Sequence, residues 1–142
     1  MAGIMKAKFV TVFVSDQQNA LEFYTNILGF EKKVDMPVGE FRWLTVVSRE
    51  GPSDIEILLE PMAFAPARVY QKALYGADVP LTAFTVGDIE KEWERLTKLG
   101  VVFKEKPKQM GPVKIARFDD TCGNYIQLLQ PPGGRVLPSE NN

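Results

Sequence analysis

Histidine is absent from the sequence, and this absence restricts the possible chemistry more than any other feature. Without an imidazole the chain cannot build a Ser-His or Cys-His nucleophile or a His-ligated metal site. The one cysteine, Cys122, excludes an internal disulfide and a CxxC site, and a lone cysteine is typical of a reducing compartment. Proton transfer would therefore need a carboxylate, a tyrosine, a lysine or a bound metal.

Glu56 is the candidate catalytic residue. In a dry pocket its pKa would rise, so it could act as a base, or it could bind a cationic or hydrogen-bonding ligand. The alternative is structural, with the carboxylate facing water or paired with Arg42 or Lys114 across a sheet. Gln127 stands at the matching position 71 residues later, where its amide could orient a ligand or be bonded within the core.

Aromatic side chains near the start of the chain are candidates for ligand stacking, although core aromatic residues give the same pattern. Side chains of a strand alternate between its two faces, which places alternate residues of neighbouring strands on one surface. Trp43 or Arg42 would reach this surface from one side and Ala116 or Phe118 from the other, and the sequence leaves both choices open. The predicted ligand-binding residues are Phe9, Thr11, Phe13, Trp43, Glu56, Leu58, Leu81, Ala83, Thr85, Phe118 and Gln127.

Composition excludes several classes of protein. The chain has 142 residues, 45% of them hydrophobic and 25% charged, with a formal net charge of −1. This is the composition of a globular domain without a field that attracts nucleic acid or anionic lipid. The N-terminal residues lack the apolar segment of a signal peptide, and no stretch is long enough to span a bilayer. We therefore expect a cytoplasmic protein with no nucleic-acid or membrane partner.

The elements that must position these residues occur twice. A strand pattern leads through Val14-Ser15-Asp16 into an amphipathic helix that ends at Leu28-Gly29-Phe30, and related segments recur 72 and 71 residues later. Asp16 and Asp88 are predicted to cap the two helices. Further strands are expected near residues 30–36, 40–48, 54–60, 101–105, 113–119 and 124–130, so each half is predicted to have the order βαβββ.

The predicted organisation is a single domain over residues 6–131. Its repeats span about 6–61 and 78–131, joined by a short helical linker at 62–77. In this linker Tyr70 and Tyr75 could close over the pocket or pack at a subunit contact, and packing is favoured. Residues 132–142, rich in proline, glycine and polar side chains, are predicted to form a loose tail.

The chain resembles the vicinal oxygen chelate superfamily, which includes glyoxalase I, bleomycin-resistance proteins and extradiol dioxygenases. The resemblance covers most of residues 6–131 and rests on the doubled βαβββ order and on five segments: VSD at 14–16, ALEFY at 20–24, LGF at 28–30, FDD at 118–120 and GNYIQL at 123–128. It implies an α+β fold in which the two modules form a curved eight-stranded mixed sheet around a cavity, often within a homodimer.

The resemblance also locates the metal ligands of the metal-using relatives. These ligands come from the first and last strand of each module, and the corresponding positions here are Phe9, Glu56, Leu81 and Gln127. Two hydrocarbon side chains and one neutral amide leave too few donors for a divalent metal, and the alternative register, with Ile57 in place of Glu56, leaves fewer. We expect no metal and no other cofactor.

Three functional hypotheses follow. The first is a metal-free protein that binds a small, partly apolar organic molecule. The second is a lyase, isomerase or dioxygenase with an atypical site in which Glu56 is the base; metal-dependent glyoxalase I activity is not expected. The third is a structural or partner-binding domain whose cavity is filled by its own side chains.

Overall fold

The computed structural model describes residues 3–133 of the chain. The chain divides into two compact units between Ala67 and Arg68. Within the described residues, no helix has both the length and the apolar character needed to cross a bilayer. Most of the predicted tail, residues 134–142, lies outside the described part.

The first unit has the predicted βαβββ order. Its elements are β1 (Phe9–Val14), α1 (Gln17–Glu22) with a π-helical continuation (Phe23–Ile27), β2 (Glu31–Val38), β3 (Phe41–Val47) and β4 (Glu56–Pro61). They form a four-stranded sheet in the order β1-β4-β3-β2, in which β1 and β4 are parallel and the other pairs antiparallel. Helix α1 begins as predicted, because Asp16 Oδ1 accepts a hydrogen bond from Asn19 N at 2.8 Å.

Helix α1 covers one face of this first sheet and buries the core of the unit. The side-chain amide of Gln17 fixes the helix to the sheet: Nε2 donates to the carbonyl oxygens of Arg42 and Leu59 at 2.7 and 2.9 Å, and Oε1 accepts from Arg42 N at 3.1 Å. The buried residues of the unit include Val12, Val14, Ala20, Phe23, Tyr24, Leu44, Val46 and Leu59. Removing these apolar side chains from water supplies most of the energy that stabilises the unit.

The second unit repeats this order. Helix α2 (Ala65–Gly76) crosses the boundary between the units and is followed by β5 (Thr82–Thr85), α3 (Ile89–Lys98), β6 (Lys108–Met110), β7 (Val113–Asp119) and β8 (Tyr125–Gln130). The sheet order is β5-β8-β7-β6, with β5 parallel to β8. The α+β class and the two βαβββ modules are thus confirmed. Hydrogen bonding divides the eight strands between two four-stranded sheets, because the first strand of each module pairs with the last strand of the same module.

The strand predicted near residues 101–105 is displaced. Only an isolated bridge joins Phe103 to Phe118, and the regular strand begins at Lys108. Glu105 explains the interruption, because its Oε2 accepts the backbone N–H of Arg117 at 2.8 Å and so removes that donor from the strand ladder.

The turn between β7 and β8 holds α2 against the second unit. Gln71, which is buried, donates from Nε2 to the Cys122 carbonyl at 3.2 Å and to Asn124 Oδ1 at 3.0 Å. Gly123 lies under this amide with φ +102°, and a Cβ atom there would come within 2.7 Å of Gln71 Oε1. Only glycine therefore fits both the backbone conformation and the position of the amide.

We expect Gly123→Ala to destabilise the protein more than Gly100→Ala. Gly100 also has a positive φ, +92°, but nothing lies within 4 Å of its potential Cβ, so it controls for backbone strain alone. Displacing the Gln71 amide should lower the free energy of unfolding by a further 1–3 kcal/mol, roughly the cost of leaving buried polar groups unpaired. Urea denaturation measures the difference, and equal losses in the two variants would contradict the role of Gln71.

Candidate functional site

The face of the first sheet opposite α1 carries most of the predicted first-unit site residues. Phe9 pairs with Glu56, Thr11 with Leu58, and Thr45 with Leu58, so these side chains share one face. We call this surface the open face of the first sheet, and it consists of Phe9, Thr11, Phe13, Trp43, Thr45, Glu56 and Leu58.

Strand alternation settles the choice left open on β3. Trp43 is two residues before Thr45 on the same strand, so its side chain lies on the open face. Arg42 lies on the α1 side, where its Nη1 donates to Gln18 Oε1 at 2.7 Å and its Nη2 contacts Asp35 Oδ2 at 2.7 Å. Trp43 therefore lies on the same face as Glu56, and Arg42 does not.

An exposed aromatic pair is the main apolar feature of the open face. The rings of Phe9 and Trp43 meet edge to face, with centroids 5.7 Å apart and an interplanar angle of 85°. Phe9 is 45% exposed and Trp43 37% exposed. Thr11 is also exposed and Phe13 half-buried, whereas Leu58 is buried beneath them. Two large rings in contact and still open to solvent offer a surface on which a further apolar group can pack.

Glu56 is buried at one end of this face and forms ion pairs with two lysines. Its Oε2 lies 3.0 Å from Lys8 Nζ and 3.4 Å from Lys33 Nζ, and the residue is 4% exposed. The suggested structural partners are wrong: Arg42 pairs with Asp35, and Lys114 contacts Glu90. The long side chains of Lys8 and Lys33 reach Glu56 from the residue before β1 and from the edge strand β2.

The ion pairs reverse the pKa shift expected for Glu56. Burial alone would raise the pKa of the carboxyl, but the Thr45 hydroxyl and the two ammonium groups outweigh burial. They hold the pKa below 4.5, the ordinary value of a glutamate. A carboxylate with a lowered pKa and two bound cations is a poor proton acceptor at neutral pH, so this geometry does not favour Glu56 as a general base.

The residues at the family's metal-ligand positions do not fit a divalent metal. Phe9 offers no donor atom, Leu81 is a half-buried hydrocarbon side chain just before β5, and Glu56 is already paired with two ammonium groups. In the part of the chain that the structure describes, no three His, Cys, Asp or Glu side chains cluster as a metal site would require.

In the second sheet, Gln127 pairs with Ala83 on β5 and with Arg117 on β7, so these three residues share a face. Thr85 is two residues after Ala83 on β5 and therefore lies on the same face, and both residues are exposed. The half-buried amide of Gln127 makes no hydrogen bond to any residue between 3 and 133. Among the described residues the amide is therefore not bonded within the core, as the structural alternative requires.

Phe118 does not belong to this surface. Its partner across the sheet is Ile126, and both side chains are fully buried. Each is adjacent in sequence to a residue of the Gln127 face, so both point to the opposite side, which α3 covers. The sequence prediction for Phe118 is therefore corrected, as is the suggestion that Ala116 takes its place, since Ala116 has the same parity. Arg117 stands beside Gln127 instead.

Tyr75 fills part of the same face of the second sheet. Its ring stacks on Tyr125, with centroids 4.4 Å apart and an interplanar angle of 5°, and its hydroxyl donates to Asp119 Oδ2 at 2.5 Å. The hydrogen bond to Asp119, followed by the contact with Tyr125, raises the pKa of Tyr75. Tyr75 thus stays protonated and packs on Tyr125 and Asp119 of its own chain. Its specific partners could not be read from the sequence, because nothing in it fixes how α2 docks.

Comparison with known proteins identifies the family. A family model described as the Glyoxalase/Bleomycin resistance protein/Dioxygenase superfamily matches residues 6–128. The chain therefore belongs to this superfamily, in agreement with the resemblance seen in its sequence.

Several relatives cover nearly the whole chain. YurT of Bacillus subtilis (strain 168) is 51% identical over 126 residues, which is 89% of this chain and 99% of that protein. The crystal structure of UcmS2 has a TM-score of 0.77 at 30% identity and covers 89% of this chain and 98% of its own. TnmS3, an antibiotic binding protein from Streptomyces sp. CB03234, has a TM-score of 0.70 at 30% identity, covering 92% and 98%.

The Glu56 cluster makes a pH-dependent contribution to stability. Because the pKa of Glu56 is lowered in the folded state, its ionised form stabilises the fold above pH 4.5, and this contribution is lost as the pH falls through the folded pKa. We expect the unfolding free energy of wild type to fall more steeply below pH 4.5 than that of Glu56→Gln. Denaturant titrations from pH 7 to about pH 3 cover this window.

Glu50→Gln is the matched control, because Glu50 is exposed and forms no ion pair with the described residues. Its pH profile should follow that of wild type. A Glu56→Gln profile parallel to wild type would show that the two lysines do not stabilise the ionised carboxylate.

Proposed function

We propose that this protein binds a small, partly apolar organic molecule without a metal, and that the Phe9–Trp43 pair is its principal contact. The observation that carries the proposal is the exposure of these two rings while they remain in contact on the open face of the first sheet. A ring system placed on them would bury apolar area that water now covers.

Each unit, taken by itself, carries further candidate ligand-binding residues. Thr11, Phe13 and Leu58 lie on the same face as the aromatic pair. In the second unit, Ala83 and Thr85 offer a small, exposed surface beside the amide of Gln127. We keep all of these, with Leu81, as ligand-binding residues.

The relatives support binding over catalysis. TnmS3 is an antibiotic binding protein and covers nearly the whole of this chain. The lowered pKa of Glu56 weighs against the alternative of an enzyme that uses this carboxylate as a base. The exposed aromatic pair weighs against the other alternative, a structural domain filled by its own side chains.

The proposal includes the state of the protein in the cell. We propose a cytoplasmic homodimer, in line with the lone cysteine and with the edge positions of β1 and β2, each of which pairs with one neighbouring strand in the described part of the chain. Sedimentation equilibrium of the untagged protein tests the dimer.

We expect Phe9→Ala and Trp43→Ala each to weaken binding of 2-naphthamide, a neutral bicyclic aromatic probe, about tenfold, the scale of one lost aromatic contact. Isothermal titration calorimetry measures the affinity. Phe64→Ala is the control, since Phe64 is 69% exposed and lies outside the open face. A loss that Phe64→Ala shares, or no loss in the other two variants, would contradict the proposed contact.

Metal independence is tested in the same titration. The affinity for 2-naphthamide should be unchanged after treatment with a chelator such as EDTA. The protein must carry no polyhistidine tag, because the chain itself has no histidine and a tag would introduce metal ligands. Loss of binding on chelation, restored by a divalent metal, would contradict a metal-free site.

A further inference from the structure

The cluster around Glu56 carries a surplus positive charge. One buried carboxylate is shared by two ammonium groups, at 3.0 Å and 3.4 Å. The lysine side chains remain open to solvent, 45% exposed for Lys8 and 37% for Lys33, while the carboxylate side chain is 5% exposed. A molecule approaching from solvent therefore meets the two cations rather than the anion.

The positive charge lies next to the aromatic pair. Lys8 Nζ is 5.6 Å from the centroid of the Phe9 ring, and that ring contacts Trp43. A single small molecule can thus touch the rings with one part and the ammonium group with another. Lys33 is held in place by a second bond, from Nζ to the Ser53 carbonyl at 2.8 Å.

Other charges on this face give it a direction. Glu60 faces the same side beside Phe13, four residues along β4 from Glu56 and so roughly 13 Å away. Glu31, opposite Val47 on the edge strand β2, is exposed on this face at the lysine end. The two ammonium groups beside the aromatic pair favour an anion there and Glu31 partly offsets them, whereas Glu60 repels an anion at the other end.

We infer that the ligand carries an anionic group, such as a carboxylate, which binds Lys8 and Lys33 while its apolar body packs on Phe9 and Trp43. This inference rests on the proposed function and specifies its ligand class. Glu56 then acts as a positioning residue that holds both ammonium groups at one end of the face.

Three probes with the same ring system and different charge test the inference: 2-naphthoate, 2-naphthamide and 2-naphthylmethylammonium. We expect wild type to bind the anion about tenfold more tightly than the neutral amide, the scale of one charge-assisted hydrogen bond. The cation should bind more weakly than the amide. Raising the ionic strength should weaken binding of 2-naphthoate and leave binding of 2-naphthamide unchanged.

Variants locate the charge preference. In the double variant Lys8→Met/Lys33→Met the affinity ratio of 2-naphthoate to 2-naphthamide should fall to about one, because both ammonium groups are removed. Lys6→Met is the control: its side chain is 74% exposed, it pairs with Asp54 at 3.7 Å, and it does not contact Glu56. Its ratio should stay within about twofold of wild type, as expected for an exposed pair. The affinity ratio measured on wild type tests the inference even if the double variant does not fold.

The outcomes separate the inference from the function on which it rests. Equal affinity of wild type for the anion and the amide, or a preference for the cation, would overturn the anionic ligand and leave the aromatic site standing. A ratio that persists in the double variant would overturn the assignment to Lys8 and Lys33. Binding of none of the three probes would contradict the proposed aromatic site and this inference together.

Discussion

The parallel pairing of the first and last strand in each module determines which side chains can act together. In the first sheet Phe9 stands opposite Glu56, and in the second Ala83 stands opposite Gln127. Because successive side chains point to opposite faces, one such pair assigns every residue of both strands to the helix side or the other side. A shift of one residue would bury Thr11 under α1 and expose Val12, so the hydrophobic core itself enforces the arrangement of the candidate site.

The cost of burying a carboxylate explains the chemistry of the first-unit site. An unpaired carboxylate in a buried position would be driven to its protonated form, whereas Lys8 and Lys33 keep Glu56 ionised. The same contacts make the oxygen atoms less available to a proton or a metal. The position that the family resemblance assigns to a metal ligand thus becomes the centre of a small group of cations beside two aromatic rings.

Local signals in the sequence predicted most of the fold. Asp16 and Asp88 cap the helices as expected, since both act through hydrogen bonds within a few residues. Long-range side-chain choices were not predictable: Glu105 interrupts the ladder beside β7 by bonding Arg117, from twelve residues away. In the site, strand alternation placed Phe9 and Thr11 correctly, whereas Phe118 was misplaced because the pairing of β7 with β8 depends on a turn whose geometry the sequence leaves open.

The two modules share one order of elements but are not interchangeable. Gln71 and Tyr75, from the segment that joins them, supply hydrogen bonds and a stacked ring to the turn and last strand of the second module. A split version of the chain, cut in the loop at residues 77–80, would leave these groups on the first fragment and Asn124 and Tyr125 on the second. A cut just before Arg68 instead keeps Gln71 and Tyr75 on the same fragment as Asn124 and Tyr125. The useful breakpoint therefore lies within α2 rather than in the loop that follows it.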